Sequence, residues 1–480
     1  MLDFDNSYAQ LSDSFFERVE PTPVSTPTLI KLNKKLSLQL GLDHEDLSHN
    51  KAGEIFSGNG ILQGSEPLAM VYAGHQFAGW RPQLGDGRAI LLGEVIDVFG
   101  ERQDIQLKGS GRTRFSRTGD GRAALGPVLR EYVISEAMAA MNIPTTRALA
   151  VVLTGEEVYR KTPLPGAILT RVSKSHIRVG TFQYFASQGD YSSLKTLADY
   201  VINRHYPDLK ETTNPYLGLL EKVVSTQASL ISKWMGLGFI HGVMNTDNVL
   251  ISGQTLDFGP CAFMDHYDPT TVFSSIDVIG RYRYENQPYI GQCNCTYFAS
   301  SILSLISTNE EKAKECATAV LNTYQDQYRK AWSIELNEKI GLSEVRLGDE
   351  QLGQDLLDIM AHHQLDFTHT FRKLSKLSSL RSAQDDPILH DWLMKWRFRL
   401  QTQQRSSKAR QTAMKAKNPA YIPRNHQIEN MISSALEGDF EPFDSLNAVL
   451  EKPFEEREEY LGFFQPPANR DEGYRTFCGT

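Results

Sequence analysis

The chain has 480 residues, 40% of them hydrophobic, enough to bury a large core in several structural units and to exclude the fibrous and disordered classes. Acidic residues outnumber basic ones by 58 to 50, and the net charge of -8 sets up a field that repels nucleic-acid phosphates and anionic lipid, so any phosphate ligand needs a local basic cluster. No apolar run has the length to span a bilayer and residues 1–25 lack the basic-then-apolar order of a secretory leader, which predicts a soluble, cytoplasmic protein without membrane partners; the charge predicts no nucleic-acid partner, and a monomer is the expected state.

In chain order, residues 1–65 mix short apolar segments with Pro21, Pro23, Pro27 and the Gly58-Asn59-Gly60 turn, and are expected as a peripheral wrap. AILLGEVIDV (89–98) and DIQLKGSG (104–111) read as strands joined through Phe99-Gly100-Glu101-Arg102. The spacing of Val128, Leu129, Tyr132, Val133, Ala137 and Met141 predicts a helix from Pro127 to about Met141, stopped by Asn142-Ile143-Pro144. ALAVVLT (148–154) and AILTRV (167–172) are further strands, with Gly155-Glu156 as the turn between them. From about residue 190 the pattern becomes helical. YLGLLEKVVSTQASLISKWM (216–235) carries Leu220, Val224, Ile231, Trp234 and Met235 near helical spacing and ends at Gly236 and Gly238. Residues 308–400 read as mostly helical, and the basic stretch Arg397 to Lys417 as a solvated helix face. Strands feeding helices in this order suit an α+β, protein-kinase-like fold of two lobes. The expected division is a wrap (1–65), a strand-rich nucleotide-binding lobe (66–190), a helical lobe with the catalytic and metal-binding loop (191–400) and an extension (401–480).

The chemistry concentrates in two stretches. In HGVMNTDNVLISGQTLDFG (241–259), a kinase would hold its base two residues after the His, but Val243 stands there. NVLI (248–251) and TLDF (255–258) flank Ser252-Gly253-Gln254, a hairpin that folds Asp257 back toward Asn248. An Asn carbonyl and an Asp carboxylate suit a hard divalent cation beside nucleotide phosphates, and Asp247 adds a second carboxylate. Upstream, KGSGRTRFSRTGDGR (108–122) interleaves basic side chains with glycines, and GDGR (85–88) offers a similar turn. Glycines let backbone N–H groups approach phosphate oxygens while Arg and Lys neutralise the charge. Lys108 at a strand end and Glu131 in the next helix can form a lysine–glutamate pair that fixes phosphates. Glu136 competes, but lies roughly 140° around the helix from Glu131, so only one of them faces Lys108. Arg171 and Arg178 bracket another turn and are candidates for a phosphate clamp.

YAGHQFAGWRPQLGDGRAILLGE (72–94), DIQLKGSGRTRFSRTGDGRAALGPVLREYVISEAM (104–138), HGVMNTDN with LDFGP, and NPAYIPRNH (418–426) closely resemble the selenoprotein O (SelO/YdiU) family over nearly the whole chain. The resemblance implies a pseudokinase fold acting as a protein adenylyltransferase, which moves AMP from ATP, or UMP from UTP, to Ser, Thr or Tyr hydroxyls of proteins with Mg2+ or Mn2+. It also implies an inverted nucleotide, with the α-phosphate toward the acceptor and the γ-phosphate in the basic pocket. Asp247 then matches the proton acceptor, Asn248 and Asp257 the metal ligands, and Glu131 the partner of Lys108. Gly85, Gly87, Arg88, Lys108, Asp120, Gly121, Arg171 and Arg178 match the ATP-contacting positions. A γ-phosphate-transferring kinase and a non-catalytic nucleotide-binding scaffold are the alternatives.

The five cysteines, at 261, 293, 295, 316 and 478, form no CxxC pair and describe neither structural zinc nor a disulfide scaffold. Selenium-containing members of the family carry selenocysteine third from the carboxyl end, where Cys478 stands, which implies a redox role. Cys261, Cys293 and Cys295 are the candidate partners for an oxidised Cys478.

Overall fold

The computed structural model describes residues 2–43, 47–60, 62–377, 387–467 and 474–477. Its strand-rich part contains Phe16–Arg18 (β1), Thr28–Leu32 (β2), Leu68–Met70 (β3), Gly74–Gln76 (β4), Gly79–Arg81 (β5), Ala89–Ile96 (β6), Arg102–Lys108 (β7), Ala123–Ala124 (β8), Arg147–Tyr159 (β9) and Pro163–Ser173 (β10). Among the described residues, seven of these form one antiparallel path in the order β1-β3-β6-β7-β10-β9-β2, with β8 pairing β10, while β4 and β5 form a separate hairpin.

Residues 1–65, expected as a wrap, supply both edges of this sheet: β1 pairs with β3 and β2 with β9. They also cover one of its faces, where Leu36 and Phe56 of the helices Lys34–Gln39 (α1) and His49–Ser57 (α2), with Leu40 at the end of α1, pack on Leu92, Ile105, Leu107 and Ile168. The other face packs against Leu125–Ala140 (α3), through Leu129, Val133 and Ala137 on Ala148, Val151 and Leu169. With both faces covered, β6 reads as a nearly unbroken apolar run, and β7, although polar at most of its positions, is buried from Gln103 to Lys108. Pro127 falls in the first turn of α3, where its missing N–H costs nothing.

The turn expected at Gly155-Glu156 is a bulge. β9 continues to Tyr159, Gly155 takes φ 71, and the register with β10 shifts between Pro165 and Ala167. A left-handed glycine lets the strand kink without ending, so the reversal comes later, at residues 160–162.

Beyond the sheet lie the helices Val179–Gln188 (α4), Tyr191–His205 (α5), Pro215–Leu237 (α6) and Gln287–Ile306 (α7), with further helices to the carboxyl end. Among the described residues, no helix is long and apolar enough to cross a membrane. Gly238, at φ 69, caps α6, and the chain enters a two-strand pairing of Phe239–Ile240 with Ala262–Phe263. That pairing closes residues 241–261 into a loop. Inside it, Val249 bridges Thr255, the short form of the predicted hairpin, while Leu250 bridges Arg178 and Thr255 bridges Thr145.

The 418–426 motif fastens the far end of this loop. Buried Arg424 pairs with Asp265 and, at 2.9 Å, with Asp366, while Asn425 Nδ2 donates to Phe263 O at 3.1 Å. The basic stretch 397–417 departs from a solvated face: Arg399 binds Asp349 at 2.6 Å, Lys417 lies 2.7 Å from both Glu335 and Glu338, and Arg410 is buried. Arg399 and Lys417 meet acids on other helices and Arg410 donates to the main-chain oxygen of Arg405 at 3.0 Å, pairings that one-dimensional charge patterning does not reveal.

Candidate active site

The end of β7, the start of α3, the end of β10 and the 241–261 loop converge on a cavity of about 570 Å³. Gly85, Gly87, Arg88, Lys108, Asp120, Gly121, Arg171, Arg178, Asp247, Asn248 and Asp257 all line it, and Glu131 lies behind its wall. A larger cavity, about 930 Å³, opens between β2, α3 and the helix Glu441–Leu450. Its lining charges already pair with one another, as Lys31–Asp444, Lys35–Glu451 and Arg147–Glu136.

Four charges form the floor of the smaller cavity. Lys108 Nζ lies 2.7 Å from Glu131 Oε2 and 2.6 Å from Asp257 Oδ1; Arg171 Nε donates to Glu131 Oε1, and Arg171 Nη2 to Asp257 Oδ1 at 3.0 Å. Burial alone would raise both carboxyls. Lys108 and Arg171 outweigh it, holding Asp257 well below the usual carboxylate range and Glu131 below its own. Asp257 sits at φ 65, a left-handed conformation that Asp tolerates better than most residues but that still costs about 1 kcal/mol. Glu136 faces elsewhere, accepting from Arg147 Nη2 at 2.7 Å, Asn33 Nδ2 at 2.7 Å and the Ala148 amide at 2.9 Å.

Asp247 is held differently. Gln76 Nε2 donates to its Oδ2 at 3.0 Å and Arg178 Nη1 donates to its main-chain oxygen at 2.9 Å, but Oδ1 is buried without a partner. Burial therefore raises its pKa. A carboxylate with one unsatisfied oxygen is costly to bury unless a proton, cation or ligand meets it. Val243 is buried and makes no acid–base group available; the neighbouring His241 donates from Nε2 to Leu256 O at 2.9 Å, and burial lowers its pKa.

Asn248 Nδ2 donates to Val243 O at 3.1 Å, which leaves its carbonyl oxygen for a ligand, and the two cations on Asp257 both use Oδ1, which leaves Oδ2. An amide oxygen and a carboxylate oxygen make a donor pair that suits a hard divalent cation. Among the described residues, no group of three or more His, Cys, Asp or Glu side chains could hold a metal ion. A cation here would complete its shell with oxygens of a bound ligand, as phosphates provide.

The glycine-rich loops line the cavity's outer wall. A Cβ on Gly85 would meet the Phe115 ring at 2.4 Å, and one on Gly121, at φ 71, would meet the Gly111 carbonyl at 2.2 Å. Asp120 accepts from Arg160 Nη1 at 2.7 Å and from the Arg122 amide at 2.9 Å; Arg160 and the amide together lower its pKa. Asp120 thus clips the loop to the end of β9–β10. Arg178 lies over the Tyr72 ring, 4.2 Å from its centroid, and pairs with Asp86 at 3.1 Å.

Sequence reasoning passed over Asp86, Gln76, Arg160 and Phe115. Gln76 and Asp86 both stand in the quoted 72–94 stretch, but nothing in their spacing marks one as the neighbour of Asp247 and the other as the anchor of Arg178. Cys478 lies outside the described residues. Of its candidate partners, Cys261 and Cys295 are buried, with burial pushing the Cys261 thiol far up and Cys295 to about 12, while Cys293 is half-exposed.

The family model described as "Protein adenylyltransferase SelO" matches residues 1–451. The chain is 54% identical over 486 residues to "Protein nucleotidyltransferase YdiU" of Rhizobium rhizogenes, with 99% of this chain and 97% of the relative covered. It is 53% identical over 486 residues to the protein of the same name from Rhodopseudomonas palustris, with 99% of each covered. For that of Bradyrhizobium diazoefficiens the figures are 54% over 485 residues, again with 99% of each.

Proposed function

We propose, for a chain that belongs to the SelO family of protein adenylyltransferases and is a protein nucleotidyltransferase, that the 570 Å³ cavity binds ATP with its α-phosphate toward Asp247. The reaction moves AMP to a Ser, Thr or Tyr hydroxyl of another protein. The observation that carries this reading is the arrangement of charge: a buried carboxylate with an orphaned oxygen at one end, and Lys108, Arg171, Arg178 and Arg88 around the remainder.

In this reading the acceptor oxygen attacks the α-phosphorus as its proton passes to Asp247, and the bond from the α-phosphorus to the bridging oxygen breaks, releasing pyrophosphate. Burial raises the pKa of Asp247, which makes its carboxylate a stronger base than an exposed one. Negative charge grows on the leaving group, where Arg and Lys side chains fixed by Glu131, Asp257 and Asp86 need no reorganisation to stabilise it. Gly85, Gly87 and Gly121 keep the backbone near the phosphates, and Asp120 holds their loop. A divalent cation, Mg2+ or Mn2+, held by Asn248 and Asp257 supplies further neutralisation of the phosphates. UTP fits the same phosphate cradle, since none of the groups invoked reads a base.

The strand-rich sheet followed by helices, with the Lys108–Glu131 pair and Asp257 at their junction, supports a pseudokinase fold with lobes near 66–190 and 191–400. The net charge of -8 supports a partner list of proteins rather than nucleic acid. The deciding experiment offers ATP labelled at either the α- or the γ-phosphate. Adenylyl transfer leaves the α-label on protein and releases pyrophosphate; protein-bound γ-label would instead make the enzyme a kinase.

A further inference from the structure

The hairpin β4–β5 is fastened to the catalytic loop residue by residue. The His75 amide donates to Thr246 Oγ1 at 2.8 Å, Gln76 Nε2 to Asp247 Oδ2 at 3.0 Å, and the Phe77 amide to Asn245 Oδ1 at 3.1 Å. Its tip is strained: Phe77 and Ala78 lie at φ 49 and 64, two consecutive non-glycine residues in the left-handed region. Glycine would relieve that strain, so the side chain at the tip has a use that offsets it.

Phe77 points that use outward. It is 37% exposed, and its ring meets Tyr282 at 5.2 Å between centroids. Tyr282 closes a turn wound around Asp277, whose carboxylate accepts from the amides of Arg281 and Tyr282 at 2.8 and 2.7 Å, and its hydroxyl donates to the same Asn245 oxygen at 2.6 Å. The turn displays Val278 at 89% and Ile279 at 83% exposure, while Trp80 on the hairpin is 38% exposed. Lone exposed apolar residues are ordinary, but several on a hairpin and a turn that meet through Phe77 and Tyr282, with the hairpin at the edge of a cavity, mark an interaction surface.

We infer that Phe77, Trp80, Val278 and Ile279 form the docking rim for the protein substrate, and that it takes an extended, apolar segment lying next to the acceptor hydroxyl. This rests on the adenylyl-transfer reading of the site. Gln76 lines the cavity and Phe77 follows it in the chain, so the rim continues the cavity wall at the Asp247 end, the end a hydroxyl must reach. A folded, polar surface gains nothing from aliphatic side chains standing free; an unfolded segment buries them while its backbone stays flexible enough to bring the hydroxyl in.

The test uses β-casein, an unfolded protein rich in apolar and hydroxyl residues, with α-labelled ATP. The full-length enzyme is compared with Val278→Ser/Ile279→Ser, whose exposure makes folding indifferent to the change, and with Phe77→Asn, since Asn accepts the left-handed backbone. In both variants KM for casein should rise roughly tenfold, the scale of withdrawing one or two apolar side chains from an interface, while KM for ATP stays put. An unchanged casein KM overturns the inference, as does a wild-type enzyme that labels itself but not casein. So does loss of a dimer in sedimentation velocity when the rim is made polar, because the occupant is then a second copy. If neither casein nor the enzyme acquires α-label, the transfer reading itself falls, and this inference with it.

Discussion

Replacing Glu131 with Gln removes one negative charge from a buried set of two cations and two carboxylates. Lys108 and Arg171 then share Asp257 alone, and both are nearly excluded from water, with 10% and 4% of their side chains exposed. Breaking a buried pair from one side costs about 3–5 kcal/mol, and the glutamine amide, still able to accept one hydrogen bond, keeps the loss toward the lower end. Without nucleotide this appears as lost stability. With nucleotide the phosphates take over part of the pairing, so ATP should raise the variant's melting temperature by more than it raises that of the wild type. Since Lys108 is no longer held at the phosphates, kcat/KM for transfer should fall roughly a hundredfold or more, the rate equivalent of about 3 kcal/mol. Glu136→Gln is the control: it sits on the same helix, but its partners are Arg147, Asn33 and the Ala148 amide, so it should cost stability without changing the nucleotide response. Thermal melts with and without ATP, beside initial rates of α-label transfer, read both effects. If Glu136→Gln slows transfer more than Glu131→Gln, the assignment of the lysine's partner is wrong.

Asp247→Asn keeps the hydrogen bond from Gln76 but removes the proton acceptor, so kcat should fall by roughly 10²–10⁴ with ATP affinity little changed; a matching rise in KM for ATP would make Asp247 a binding residue instead. Gly121→Ala drives a methyl into the Gly111 backbone at a left-handed position, and should weaken ATP binding by more than tenfold, about the 1.4 kcal/mol equivalent or greater, in a titration of nucleotide affinity. Lys339 is buried against Phe371, 4.2 Å from the ring centroid, and burial followed by the like charge of Lys417 lowers its pKa to about 7. Because the unfolded chain holds that proton up to its ordinary pKa, the penalty is full below pH 7 and fades as pH rises toward about 10.5. Lys339→Met should therefore stabilise the protein at pH 6 by up to about 5 kcal/mol and lose that advantage near pH 10, as read by denaturant midpoints; an advantage independent of pH would refute the cause.

Periodicity and turn chemistry alone located α3 to within a few residues and α6 almost end to end, because each has a continuous apolar face that only a helix can bury together. The glycines at 85, 87, 109, 111 and 121 marked the loops beside the cavity, since close backbone approach has a residue signature that does not depend on partners. The angle between Glu131 and Glu136 also followed from helix geometry, although which of them meets Lys108 needed the sheet on which α3 lies. Gly155 misled for a local reason: one left-handed glycine permits either a turn or a bulge, and the choice belongs to the neighbouring strand. The edge strands β1 and β2 were hidden because their hydrogen-bond partners lie far along the chain, so three-residue and five-residue segments carry too little pattern of their own.

The sequence by itself determined the residue types of a phosphate cradle and their order. Only the tertiary structure decided that Asp257 would sit left-handed between Lys108 and Arg171, that Asp247 would be left with an unpaired oxygen, and that Gln76 would hold Asp247 directly while Asp86 anchors the Arg178 that binds its main chain. Those outcomes depend on which charges share a low-dielectric space, a property of distances between segments more than a hundred residues apart, and no spacing along the chain encodes it.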